Sequence, residues 1–333
     1  MSLLPPRSAF SIYAVGAVLI GGVGLAPALA QNSIPTSQES SVEYRLDVLA
    51  EQAFTIDELE ETSSAFVVAG EESSVEIPKE ADYPVVLVSE SEENLAISIP
   101  ASIEEAVAEP GEFGEVSFDH GNASSTSVLP HEDGSVQMVT TIADSSAPEE
   151  YVYNLDLPEG ASMEILEGGL VLVEDSEGNF FAGVAAPWAK DANGVDIPTR
   201  YEIRGSTLVQ VVEHRGQESV AYPVTADPWL GRDLISRVWV TNHREGYKVN
   251  VVATSWGRAF SGVATHKAHV DELVSKTARG RITPTIREQY LCHVAGNLFE
   301  REDYNMESWL PYKPWWQQLN PVDQCNPGGS RYS

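Results

Sequence analysis

Between Tyr83 and Ala226 the apolar residues fall in short runs, many alternating with polar positions and all cut by turn residues. The runs PVVLVS (84–89), AISIP (96–100), EVSFD (115–119), SVQMVTTIA (135–143), YVYNLDL (151–157) and GLVLVED (169–175) read as strands. NFFAGVAA (179–186), RYEIRG (200–205), TLVQVVEH (207–214) and SVAYPVTA (219–226) continue the series. In YVYNLDL, Tyr151, Tyr153, Leu155 and Leu157 alternate with Val152, Asn154 and Asp156, which predicts one buried face and one solvated face. His131-Glu132-Asp133-Gly134, Ser176-Glu177-Gly178-Asn179, Ala192-Asn193-Gly194 and Arg204-Gly205-Ser206 supply turn chemistry at the breaks. Strands recurring without helical periodicity between them predict an antiparallel sandwich or barrel. The two prolines of AYPVTADPW (221–229) place its end near Asp227–Gly231.

The pattern then changes. LISRVWVTN (234–242) and YKVNVVATS (247–255) read as a hairpin closed by His243-Arg244-Glu245-Gly246. In SGVATHKAHVDELVSKTA (261–278), Val263, His266, Val270 and Leu273–Val274 recur at helical spacing, with Ser261 as the expected cap. Pro284 interrupts, and EQYLCHVAG (288–296) reads as another strand. The remainder is aromatic, broken by prolines and read as loop. The fold class is therefore mainly β: an antiparallel β-sandwich-like domain over 81–228, then a small α+β module over 231–333.

Ahead of these, residues 1–30 have the form of a signal peptide. Arg7 is followed by an apolar stretch, and Ala28-Leu29-Ala30 matches the small-x-small cleavage pattern. Residues 31–80, rich in Ser, Glu and Thr, read as an acidic flexible linker, with a weak helical face at Tyr44, Val48, Leu49 and Leu59. The chain is thus expected to be secreted, extracellular or associated with the cell envelope, with no stable membrane insertion once the signal is removed.

Charge divides the chain unevenly. Residues 31–230 hold six basic and forty acidic residues, a net of −34, whereas 231–333 hold thirteen basic and ten acidic, a net of +3. A field of the first sign argues against nucleic acid and anionic membrane as partners of that first part. It serves solubility, or covers something basic such as the C-terminal module.

The two cysteines, Cys292 and Cys325, lie in the last fifty residues. In an exported chain such a pair is most simply a disulfide. CHV (292–294), YNMESWLPYKP (304–314) and QCNP (324–327) together resemble the signature of exported actinobacterial proteins classed as domain of unknown function 2599. Similar proteins carry an upstream acidic β-region ending in Tyr-Pro-Val-x-Ala-Asp-Pro-Trp, as at 222–229. A departure is His269-Val270, where the resemblance leads one to expect a tryptophan. The resemblance implies export and the Cys292–Cys325 disulfide, with Cys-His-Val on a strand, and it implies no activity.

Candidate chemistry is sparse. His266 and His269 stand at i, i+3, and with His293 they form a candidate metal set, although the zincin spacing is i, i+4 with an intervening Glu. His293 with Glu307 is the best His–carboxylate pair for general acid–base work. No serine occupies a nucleophile elbow. Asp191 to Asp196 has some acidic ligands of a calcium loop but lacks the distal glutamate, so a tight turn explains it better. No cofactor fingerprint is present.

The feature favoured for binding is the aromatic set Trp309, Tyr312, Trp315 and Trp316 with Lys313 and Arg301. Such residues stack on sugars or form protein hot spots, and they also build small cores. The expectation is a non-catalytic interaction module for a cell-envelope glycan or protein. A secreted hydrolase and a C-terminal effector guarded by the acidic β domain are the alternatives.

Overall fold

The computed structural model describes residues 59–69, 73–89, 94–100, 106–111, 114–216, 219–296 and 303–328. The signal peptide, the weak helical face at 44–49 and Arg301 lie outside them. All the described residues belong to one compact unit.

Two antiparallel sheets form the β domain. The first runs, in order, through Glu60–Glu61, Ala65–Ala69, Ser73–Pro78, Val85–Ser89, Leu95–Ile97, Glu150–Asp156, Thr207–Val212 and Thr199–Arg204. The second runs through Ser162–Ile165, Val171–Glu174, Phe180–Val184, Trp229–Gly231, Val136–Ile142, Ser124–Pro130, Val116–Asp119 and Glu109–Pro110. Val224–Asp227 joins the second sheet beside Val136–Ile142 and carries Trp188–Lys190 on its other edge. Alternation aims one set of side chains from each sheet at a shared core, where Ile77, Leu95 and Tyr153 meet Phe118, Met138 and Val184. The result is sandwich-like, as the spacing of the runs predicts. In Glu150–Asp156, Tyr151, Tyr153 and Leu155 are buried and the intervening residues exposed.

Several local expectations are corrected. Strands at 60–78 occupy ground read as flexible linker, because glutamates and serines on their outer faces mask the alternation of Phe66, Val68, Val75 and Ile77. Pairing does not stop at AYPVTADPW. Val136–Ile142 pairs with Val224–Asp227 and, beyond Pro228, with Trp229–Gly231. Pro228 cannot donate, but its carbonyl accepts from Met138 N at 3.0 Å, so the ladder passes through it.

Asp227 of this stretch is fully buried and takes a hydrogen bond from Gln137 Nε2. Burial pushes its carboxyl up to about 7. An unfolded aspartate ionises near 4, so between about pH 4 and 7 the folded state alone keeps the proton. Stability from this group is therefore present below pH 4 and lost as the pH rises through 7. Asp227→Asn should remove that slope and raise stability above pH 7, as read from denaturant midpoints across the range. An unchanged slope would contradict the assignment.

The C-terminal module begins with the expected hairpin, Ile235–Asn242 and Tyr247–Ala253, and Tyr304–Glu307 adds a third antiparallel strand. Helix α1 (Ser255–Ala259) follows, capped by Thr254, whose Oγ1 accepts from Gly257 N at 2.7 Å. Ser261 is not the cap of the next helix. A 3-10 turn at Val263–Thr265 leads into α2 (His266–Ser275). That helix buries Ala268, His269, Val270 and Leu273, while Val263 and Val274 are exposed.

EQYLCHVAG is not a strand but the greater part of α3 (Pro284–Gly296). Pro284 takes the first helical position, where its missing N–H is no loss, rather than breaking an element. Ile286, Tyr290 and His293 then recur at helical spacing on the buried side. A last short helix, α4 (Trp315–Gln318), lies inside the terminal segment expected to be loop.

The module is seated on the outer face of the second sheet. Gly183 and Gly231 stand opposite each other in adjacent strands. A Cβ at Gly183 would lie 2.6 Å from the Phe260 ring, and one at Gly231 would lie 2.4 Å from Trp256. The two glycines thus make a bare patch on which both aromatic rings lie. Trp256 and Phe260 stack at 4.8 Å, with Phe180 at 6.1 and 5.9 Å from them. Leu166, Leu170, Leu172 and Trp229 complete this apolar seam. Asp133 Oδ2 accepts from Trp256 N at 2.9 Å, and Lys267 reaches Glu174 at 3.1 Å.

Candidate functional site

The signature segments converge. Cys292 on α3 and Cys325 in the terminal segment form a disulfide. Gln289 on α3 binds the backbone of Glu307 on both sides, donating to its carbonyl at 3.0 Å and accepting from its N–H at 2.8 Å. Asn326 donates to Glu307 Oε2 at 2.8 Å and to the Asn305 carbonyl at 3.1 Å. Helix, strand and terminal segment are thereby fastened to one another by a covalent bond and a set of hydrogen bonds from side-chain amides.

The histidines do not share a vertex. His269 is buried, donating from Nε2 to the Phe260 carbonyl at 2.9 Å, while its Nδ1 accepts from the Tyr290 hydroxyl at 3.3 Å. Burial holds its pKa down at about 4, so the ring is neutral. His266 meets the Trp315 ring edge-on at 4.9 Å. His293 stacks flat on Tyr304 at 5.0 Å. Glu307 pairs with Lys248 at 3.3 Å and receives Asn326, so these partners, not His293, surround its carboxyl. Among the described residues no group of three or more His, Cys, Asp or Glu is placed to hold a metal. Asp191 closes its own turn, accepting from the N–H groups of Asn193 and Val195.

An open cleft of about 600 Å³ lies between α2 and the second sheet. Of its carboxylates, Asp175, Asp233, Asp271 and Glu272 are engaged in the fold. Glu272 accepts from Leu234 N and Ile235 N at 2.8 and 3.0 Å, and Lys276 bridges it to Asp233. Asp175 holds the turn at Glu177–Asn179. The bonds of Glu272 and Lys276 tie α2 to the start of the hairpin.

The terminal knot, 311–326, differs in kind. Lys313 pairs with Asp323, and Asn320 donates to the same carboxylate at 2.8 Å, so the two ends of the loop are held together. This pairing brings the neighbours Tyr312 and Val322 to the same end of the knot. Gln318 donates to the Lys313 carbonyl across the loop, and Trp315 N is anchored on Glu288 of α3 at 2.9 Å. On this frame Tyr312, Trp316, Leu319 and Val322 are 61%, 58%, 44% and 76% exposed.

Of the six residues favoured from sequence, Arg301 lies outside the described residues and the other five divide. Tyr312 and Trp316 face outward. Trp309 packs on His243 at 5.2 Å, Trp315 packs on His266, and Lys313 is committed to Asp323. Leu319 and Val322 were not legible as surface residues. The one sequence signal for them is Asn320-Pro321 between them, a turn that leaves its flanking side chains outside.

Neither a curated protein nor a solved structure matches the chain. Residues 235–328, which carry both the disulfide and the knot, match the family described as protein of unknown function (DUF2599).

Proposed function

We propose that the chain is an exported, non-catalytic interaction protein whose terminal knot engages a component of the cell envelope. The observation that carries this reading is the exposure of Tyr312, Trp316, Leu319 and Val322 on a short segment that is otherwise closed by its own bonds. Exposed Leu and Val are ordinary when scattered, but gathered with Trp and Tyr on a clamped loop they mark a binding surface. A disulfide suits an oxidising exterior, as does the signal-like opening of the sequence. No helix among the described residues is long and apolar enough to cross a membrane. Glycan and protein are the partner classes that the aromatic composition suggests.

A second reading, in which the β domain guards a C-terminal effector, draws support from the seam, because that domain covers Trp256 and Phe260.

The oxidised full chain is expected to be retained by an isolated cell-envelope fraction. Tyr312→Ser with Leu319→Ser should lower that retention by about tenfold, in proportion to the apolar surface removed. Equal retention of wild type and variant would contradict the proposal.

A further inference from the structure

Resting on that reading of the knot, we propose that its occupant is a lipid surface: Tyr312, Trp316, Leu319 and Val322 dip into the boundary between headgroups and acyl chains. Three features of the knot point there.

The first is how its backbone is satisfied. A segment entering a layer poor in water does so at lower cost the more of its amides are already paired, since each unpaired donor costs several kcal/mol in hydrocarbon. Pro311, Pro314 and Pro321 have no N–H at all. Gln317 and Asn320 donate to the carbonyls of Pro314 and Gln318 at 3.0 and 2.8 Å. Gln324, Cys325 and Asn326 donate within the knot at 3.0, 3.4 and 2.7 Å. Val322 N and Asp323 N both donate to Asn320 Oδ1 at 3.0 Å. From Asn320 to Asn326, Pro321 apart, each backbone N–H is thus paired within the knot.

The second is charge. Lys313 is the one charged residue from 311 to 322, and Asp323 neutralises it. A zwitterionic surface neither repels nor must desolvate such a tip. The large negative charge belongs to residues 31–230. It should oppose an anionic surface at low salt and fade as salt screens it.

The third is composition and exposure. Trp and Tyr are the side chains that settle at a membrane–water boundary, with an apolar body and a polar edge. Here they accompany aliphatic Leu319 and Val322, all four exposed, and none of them lines the cleft between α2 and the second sheet.

The test uses the oxidised full chain and protein-free vesicles of phosphatidylcholine or phosphatidylglycerol, read by cosedimentation. Wild type should sediment with phosphatidylcholine. Binding to phosphatidylglycerol should be weaker at low salt and approach it as salt is added. Trp316→Ala with Val322→Asp should lower partitioning by about tenfold or more. Circular dichroism should confirm an unchanged fold, since both side chains are exposed. Two results would overturn the inference: vesicle binding that ignores the double variant, or no vesicle binding by a chain that the envelope fraction retains. The second would leave the interaction reading standing with a glycan or protein as partner. Loss of both vesicle and envelope binding would remove the two together.

Discussion

Trp256→Ala is expected to destabilise the protein by about 4 kcal/mol, within the range for truncating a fully buried large aromatic. Trp256 has no exposed surface, rests on Gly231, stacks against Phe260 and donates from Nε1 to the Trp229 carbonyl at 3.3 Å. Removing the indole leaves a cavity over two glycines, and glycines have no side chain with which to fill it. The loss falls on the seam, so the variant should also lose the single cooperative transition that the continuous packing implies. Guanidinium denaturation followed by both far-ultraviolet circular dichroism and tryptophan emission would detect this as two separated transitions. A loss below about 1 kcal/mol with coincident transitions would mean that the two halves do not depend on one another.

The second large effect concerns Cys292 and Cys325. Their bond closes a loop of 33 residues. Replacing both by alanine should cost about 3–4 kcal/mol in the chain-entropy account of a loop of that length. The backbone adds to the effect, because Gln324 and Cys325 both hold positive φ angles, 46° and 64°, without being glycine. Such residues persist only where their surroundings fix them. With the bond gone, the frame that presents Trp316 and Val322 should loosen while the seam stays intact. The expected outcome is a lower midpoint and faster proteolysis within 308–328, with the β domain unaffected. A double-alanine variant of unchanged midpoint would show that the hydrogen bonds around Glu307 suffice alone.

What the sequence reveals of this fold depends on whether the information is local. Alternation is local, so strands such as Glu150–Asp156, with one apolar and one polar face, can be read directly. Ser124–Pro130 cannot, because SSTSVLP looks like a polar loop. It becomes a buried strand because its hydroxyls pair across the sheet, Thr126 with Thr140 at 3.1 Å and Ser127 with Ser117 at 2.8 Å. In α3 the aromatic and β-branched content suggests a strand, while the decisive signals are Thr283-Pro284 at one end and Gly296 at the other. The seam is invisible in sequence for a different reason. Gly183 and Gly231 lie 48 residues apart, and their meaning arises only when pairing sets them side by side.

The candidate site is legible to a similar degree. Its aromatic richness and its two cysteines can be seen in the sequence. Which tryptophans face outward cannot, because that choice rests on long-range neighbours: His243 for Trp309 and His266 for Trp315. The i, i+3 spacing of His266 and His269 likewise suggests a shared ligand. On the helix the two rings meet different partners, one an aromatic edge and the other a carbonyl and a phenol.

Hydroxyl-radical footprinting of the oxidised full chain, with and without the envelope fraction, reads side-chain access residue by residue and so locates the surface that is covered on binding. Oxidation of Tyr312, Trp316, Leu319 and Val322 should fall on binding, while exposed side chains of the β domain such as Tyr83 and Val195 keep their rates. Unchanged rates across the knot, with protection elsewhere on a chain that is demonstrably bound, would contradict the proposal.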